Sequence, residues 1–179
     1  MQALTRYALA ALLGGVAVDA AAACPDWLDQ SMRKLRSSES INFCEAYAGQ
    51  PILFINTASH CGYTKQFKTL EALYQRYKDR GLVLVGVPSD SFRQEADTEA
   101  ETAEVCYVNY GVTFTMTETV DVTGDNAHPL FKALNAAQGE PRWNFNKYLV
   151  DRDGNVVAHF SSKIQPLGKE ISTAIEKVL

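Results

Sequence analysis

The sequence predicts an α/β fold, and three patterns carry that reading. Two apolar runs of strand length, 51–56 and 82–87, flank a helical repeat; two alternating segments flank an Asp-Gly turn at 153–154; and the chain ends in an amphipathic stretch. Two buried strands joined by a helix form a right-handed βαβ unit with parallel pairing. A tight turn makes the later pair antiparallel, so the sheet is mixed. With 179 residues, 46% hydrophobic and 21% charged, the chain has globular composition and room for one domain with a real core. Disordered, collagen-like and coiled-coil classes are excluded.

The first 23 residues differ from the rest. Arg6 is followed by an uncharged apolar stretch over 7–18, then Asp19 and a small-residue run to Ala23, which is the pattern of a secretory signal peptide. The apolar run is roughly 12 residues where a membrane span needs about 20. The expected division is therefore a signal peptide at 1–23 and a domain at 24–179. The net charge of −4 is unchanged by the cut, because Arg6 and Asp19 leave together. Cys24, Cys44, Cys61 and Cys106 all lie beyond it, which points to an oxidising compartment, the periplasm or another secreted address. Ala21-Ala22-Ala23-Cys24 is also a poor lipobox, so a lipid anchor at Cys24 is the alternative.

Segment 39–44 alternates polar and apolar residues and reads as a half-exposed strand, part of an N-terminal strand or hairpin extension. Phe67, Leu70, Leu73, Tyr74 and Tyr77 recur at helical spacing and predict a helix over 64–80, capped by Gly81. Thr98 and Glu101 have capping-box spacing, and Ala103, Cys106, Tyr107 and Tyr110 share one helical face before Gly111. His128-Pro129 opens a short helix with Leu130, Phe131 and Leu134. Segments 146–150 and 155–160 form the hairpin, and Leu167, Ile171, Ala174, Ile175 and Val178 mark the last helix. This is the order of a thioredoxin-like domain with an insertion: a central mixed sheet flanked by helices.

The 17 basic and 21 acidic residues are scattered, leaving no electrostatic footprint for nucleic acid or an anionic membrane. The expected partner is a small molecule or another protein. Chemistry concentrates at Asn56-Thr-Ala-Ser-His-Cys61-Gly-Tyr-Thr64, where Cys61 falls between strand end and helix start. Unpaired N–H groups and the positive end of the helix dipole stabilise a thiolate there. Cys61 is a candidate nucleophile; the alternatives are an inert buried cysteine or half of a structural disulfide. A dithiol motif is excluded because Thr64 stands where the second cysteine would be, and four cysteines allow three pairings.

Four motifs occur in order: Asn56-Thr-Ala-Ser-His-Cys61-Gly-Tyr-Thr64, Gln94-Glu95, Asn109-Tyr-Gly-Val-Thr-Phe114, and Trp143-Asn-Phe145 with Tyr148-Leu-Val-Asp-Arg-Asp-Gly154. Together they resemble the glutathione peroxidase family from about residue 38 to the C-terminus. The resemblance implies a thioredoxin-like fold and a catalytic tetrad of Cys61 (in place of selenocysteine), Gln94, Trp143 and Asn144. The approach to Gln94, Pro88-Ser-Asp-Ser-Phe92-Arg, is one residue shorter than the family's usual pattern. His60, beside the nucleophile, reads as an exposed spectator.

The implied activity is reduction of hydrogen peroxide and organic hydroperoxides by a thiolate and sulfenic acid cycle, with no cofactor and no metal. The sulfenic acid needs a second thiol, and the resemblance offers Cys106 as the resolving cysteine. Cys24 and Cys44 then read as a structural disulfide. The short stretch between Leu134 and Trp143 implies a monomer, and a resolving cysteine favours a thioredoxin-like reductant over glutathione. A peroxide sensor that passes oxidation to a partner protein is the alternative, and a protein thiol-disulfide oxidoreductase is disfavoured by the lone Cys61.

Overall fold

The computed structural model describes residues 24–179. The signal segment expected at 1–23 lies outside them. The central sheet begins with β3 (Ile52–Thr57), preceded by a separate hairpin of β1 (Ser31–Arg33) and β2 (Ser40–Asn42) with a short helix α1 (Phe43–Tyr47). Next come α2 (Gln66–Tyr77), β4 (Val83–Pro88), α3 (Glu99–Ala103) running into a π-helical segment (Glu104–Asn109), and β5 (Thr115–Met116). Helix α4 (Pro129–Gln138), the hairpin β6 (Lys147–Val150) and β7 (Val156–Phe160), and α5 (Lys169–Val178) complete the chain.

The sheet order is β5-β4-β3-β6-β7. Strands β3 and β4 pair in parallel, as do β4 and β5, whereas β6 is antiparallel to both β3 and β7. This is a thioredoxin-like mixed sheet, with β5 added at one edge. Strand β3 is buried on both faces, and its side chains alternate between two cores. Leu53 and Ile55 face α2 and α5 with Phe67, Leu70, Leu73, Ile171 and Ile175. Ile52 and Phe54 face α4 and the N-terminal hairpin with Phe131, Leu134, Met32 and Phe43. Each such fully buried side chain contributes about 1.5–3 kcal/mol relative to exposure.

Local chemistry moves three expected boundaries. The strand expected over 39–44 ends at Asn42, because the Asn42 side chain accepts the Glu45 amide and caps α1, so Cys44 lies on a helical turn. Helix α2 starts at Gln66 instead of residue 64, because 61–66 first close tight turns through Thr64 N–H to Cys61 O and Gln66 N–H to Tyr63 O. The capping box of Thr98 and Glu101 is present, but the helix widens to a π turn after Ala103. That change of phase keeps Cys106 buried while exposing Tyr107, which was expected on the same face.

Cys24 and Cys44 form a disulfide with Cα atoms 5.7 Å apart and a sequence separation of 20; a closed loop of that size removes about 3 kcal/mol of chain entropy from the denatured state. The same segment is held at the β6–β7 turn, where Trp27 Nε1–H donates to Gly154 O. Gly154 has φ +79°, and a Cβ there would collide with the Pro25 ring, so both conformation and space require glycine.

Lys147 is the unusual core residue: fully buried in β6, its Nζ donates to Gln66 Oε1 at 2.6 Å and to Ile164 O at 3.0 Å. Neither partner is charged, and burial pushes its pKa down to about 7. The unfolded amine titrates near 10.4, so between pH 7 and about 10 the unfolded chain binds the proton that the native state has released, and stability rises with pH. The unfolding free energy of wild type minus that of Lys147→Met, from urea titrations, is expected to climb from pH 7 to about 10. Taking the difference removes the opposing contribution of Cys106; a flat difference would refute the account.

Candidate active site

Cys61 is 7% exposed and reduced. Its sulfur accepts a hydrogen bond from the Tyr63 N–H at 3.4 Å. Thr64 Oγ1 accepts the Cys61 N–H at 3.1 Å and donates to Ala58 O at 2.8 Å. The hydroxyl thus pins the turn carrying the sulfur while a free amide points at it, an arrangement suited to negative charge. Thr64, which excludes a second cysteine and was expected to open the helix, stands at a cap-like spacing from Cys61 that is the sequence signal for this role.

Gln94 reaches the same place from β4. Arg93 takes a left-handed conformation, φ 57°, which turns the shortened loop tightly. The Gln94 carbonyl accepts the N–H of exposed His60 at 2.8 Å, fastening this loop next to Cys61. Gln94 Oε1 accepts Asn144 Nδ2–H at 3.1 Å, so the donor left on Gln94 is its Nε2 amide. Phe92 from the same loop contacts the Trp143 ring, centroids 5.4 Å apart.

Trp143 and Asn144 lie on the turn entering β6. Trp143 is 40% exposed, which no core role explains, whereas Asn144 is fully buried and its Oδ1 has no partner among the described residues. Asn56, at the end of β3, holds this turn: its carbonyl accepts Phe145 N–H, its Oδ1 accepts Asn146 N–H at 2.9 Å, and its Nδ2 donates to Trp143 O at 3.1 Å. Phe145 is left-handed, φ 61°, so successive side chains on the turn diverge. Gln94, Trp143 and Asn144 are therefore one contact set, joined to Cys61 through His60. Among the described residues the hydrogen bond at the Cys61 sulfur comes from Tyr63, and none reaches it from the other three.

Cys106 is reduced, 1% exposed and inside the core. Burial pushes its thiol up to about 12, and its Sγ contacts Ala103 O at 3.7 Å. Glu95, which sequence reasoning noticed only within the Gln94-Glu95 motif, is a buried carboxylate. Its Oε1 accepts from Ser59 Oγ, from Thr102 Oγ1 at 3.0 Å and from Ala96 N–H at 2.8 Å. It ties the approach to Cys61 to the helix leading into the Cys106 segment.

The glutathione peroxidase family profile matches residues 28–135. The chain belongs to the glutathione peroxidase family. A glutathione peroxidase homolog, BsaA, of Staphylococcus epidermidis is 48% identical over 141 residues, 75% of this chain and 88% of its own. A glutathione peroxidase-like peroxiredoxin, GPX5, of Chlamydomonas reinhardtii is 46% identical over 137 residues, 73% of this chain and 83% of its own. Among solved structures, the apo form of Trgpx superposes with a TM-score of 0.66 at 28% identity, covering 85% of this chain and 94% of that one. Family membership makes the chain an oxidoreductase of the peroxidase type.

Asn56→Ala leaves the buried Asn146 N–H without its acceptor, and an unsatisfied buried donor costs about 1–3 kcal/mol. The expected result is a loss of that size in denaturant unfolding, together with a change in Trp143 fluorescence in the native state. A variant as stable as wild type would show that the turn is held by other contacts.

Proposed function

We propose that this glutathione peroxidase family member reduces hydrogen peroxide and organic hydroperoxides through Cys61, assisted by Gln94, Trp143 and Asn144 and resolved by Cys106. The observation that supports the reading is the Asn144 Nδ2–Gln94 Oε1 bond together with the Gln94 carbonyl's bond to His60 N–H, which bring two of the three neutral side chains to the loop beside Cys61, with Trp143 adjacent in the chain and packed on Phe92. The thiolate attacks one peroxide oxygen, the O–O bond breaks, and the alkoxide or hydroxide departs as alcohol or water after taking a proton. Neutral donors support the thiolate and the developing oxyanion without adding a competing acid. Cys61 is left as a sulfenic acid.

Cys106 then attacks the Cys61 sulfur and expels water, giving a disulfide that an external thiol reduces. A thiol this deeply buried and this weakly acidic does not react in place, so resolution requires opening of the π-helical segment. Its exposed Tyr107 and Val108, the latter 75% exposed, and the left-handed Gly111 beyond it favour that opening. Exposure of Cys106 on an opened segment suits a protein dithiol of thioredoxin type, with glutathione as the alternative donor. The comparisons do not favour a sensor that only relays oxidation.

The proposed setting is periplasmic or secreted, with a monomeric chain cleaved after residue 23. The Cys24–Cys44 bond supports it, since it uses the sulfur that a diacylglycerol thioether would need and persists in an oxidising compartment. No helix among the described residues is long and apolar enough to cross a membrane. Peptide mapping of protein from cell fractions, without reduction, is expected to find Cys24 linked to Cys44 in the soluble fraction. A lipid-bearing Cys24 in the membrane fraction would overturn this address.

Cys61→Ser is expected to remove peroxide reduction while the fold survives, with residual activity below about 1% of wild type, since the thiolate is the only nucleophile at the turn. Cys106→Ser is expected to complete one turnover with peroxide and then stall, with intact mass showing Cys61 as sulfenic or over-oxidised acid. Sustained turnover of Cys106→Ser with a thioredoxin-like donor would make Cys106 a core residue and favour a one-cysteine cycle with a small thiol.

A further inference from the structure

Asn146 uses its side-chain nitrogen to hold the turn that carries Trp143 and Asn144. Its Nδ2 donates to Trp143 O at 2.8 Å and to Ser162 Oγ at 3.1 Å, and Ser162 Oγ itself donates to Asn144 O at 2.6 Å. Because the Ser162 proton is committed to Asn144, the Asn146 amide has one satisfactory orientation, with Oδ1 facing away. That oxygen meets His159 Nε2 at 2.8 Å. A proton on Nε2 satisfies that contact. The other ring nitrogen, Nδ1, lies 3.1 Å from the carbonyl of Gln138, the last residue of α4. The imidazole is stacked flat on Tyr148, centroids 4.2 Å apart. Both ring nitrogens thus face acceptors. A neutral imidazole has one N–H for the two of them, and an imidazolium has one for each.

We propose that His159 is a positioning residue for the peroxide-reducing site: its Nε2–H holds the Asn146 amide, and through it the Trp143 and Asn144 backbone, and protonation of the ring tightens that hold by adding a donor to the Gln138 carbonyl. The proposal rests on the assignment of Trp143 and Asn144 to the site made above. A cation opposite the last carbonyls of α4 also meets the negative end of that helix. The titratable and charged groups around the ring are the Tyr148 phenol on β6, Glu140 and Arg142 on the segment after α4, Lys163 beyond β7 and Tyr63 from the turn after Cys61. The last four line, with His159, one groove of about 980 Å³. Burial lowers the pKa of His159 from the ordinary histidine value, with the Gln138 carbonyl acting in the opposite direction. The ring accordingly takes up its charge at a lower pH than an ordinary histidine does.

The test uses the mature chain labelled for indole N–H and histidine ring resonances. The chain has two tryptophans, and Trp27, bonded to Gly154 O, serves as the internal reference. In wild type the Trp143 indole signal is expected to shift with pH at the midpoint of the His159 ring, while Trp27 stays still. His159→Phe keeps a flat ring on Tyr148 and is expected to abolish that shift. It should also lower the rate constant for Cys61 oxidation by peroxide by roughly five- to tenfold through looser placement of the donors. His159→Gln, whose amide N–H can reach Asn146 Oδ1, is expected to recover the rate to within about twofold without recovering the titration. A Trp143 shift that survives in folded His159→Phe, or a wild-type Trp143 signal indifferent to the His159 midpoint, overturns the proposal. So does an unchanged oxidation rate in folded His159→Phe. A wild type that consumes no peroxide overturns the functional reading instead, and the spectra report the coupling independently of it.

Discussion

Asn56 is the residue on which the site depends. It lies near the end of a fully buried strand whose first four residues are apolar, a place where an unpaired amide would cost several kcal/mol. Every polar group it has is used on one turn: its own N–H and C=O pair with Asn146 O and Phe145 N–H, and its side chain takes Asn146 N–H and Trp143 O. Four bonds from one residue convert the rigidity of the sheet centre into the position of a turn that has no regular structure. The left-handed backbone at Phe145 costs of order 1–3 kcal/mol, offset by its buried ring against Phe67, centroids 5.3 Å apart. Trp143 is thereby free to stay at the surface while Asn144 turns inward.

Around that anchor the site is assembled by hydrogen bonds between loops. Gln94 is fixed at its carbonyl by the His60 amide and at its side chain by Asn144, and Cys61 is held by Thr64 from within its own turn. Glu95 adds a buried carboxylate that grips Ser59 on one side and Thr102 on the other. The segments bearing the two reduced cysteines are thus joined by a polar clamp as well as by the apolar core.

What could be read from the sequence divides along physical lines. The βαβ unit, α2, α4, the β6–β7 hairpin and α5 are legible because their periodicity or turn chemistry is local: apolar runs, 3.6-residue spacing, Asp-Gly, Pro after His128. Strands β1 and β5, at three and two residues, are too short to show a period. The Asn42 cap that cut the expected strand at 39–44 competes with an alternation that is equally local. The motifs named Cys61, Gln94, Trp143 and Asn144, but the groups that hold them could not be read. Asn56 and Asn146 are 90 residues apart in the chain, and a buried asparagine announces no partner. Glu95 and His159 are silent for the same reason.

The π turn in the Cys106 segment has a meaning of its own. A helix of ordinary pitch places a residue on one side or another by its count from the cap, so the facing of a side chain is a matter of phase. One wider turn resets that phase for everything after it. Here the capping box at Thr98 keeps the register of the first turn, while the widening after Ala103 decides which of two neighbours, Cys106 or Tyr107, points inward. Removing a single residue ahead of the thiol would swing it by about 100° around the helix, while leaving the cap untouched and shortening its distance along the chain from Cys61 by one position only. The accessibility of a sulfur in such a fold is therefore set by length as much as by chemistry, and two chains with the same cysteine in the same motif can present it to opposite sides of the helix.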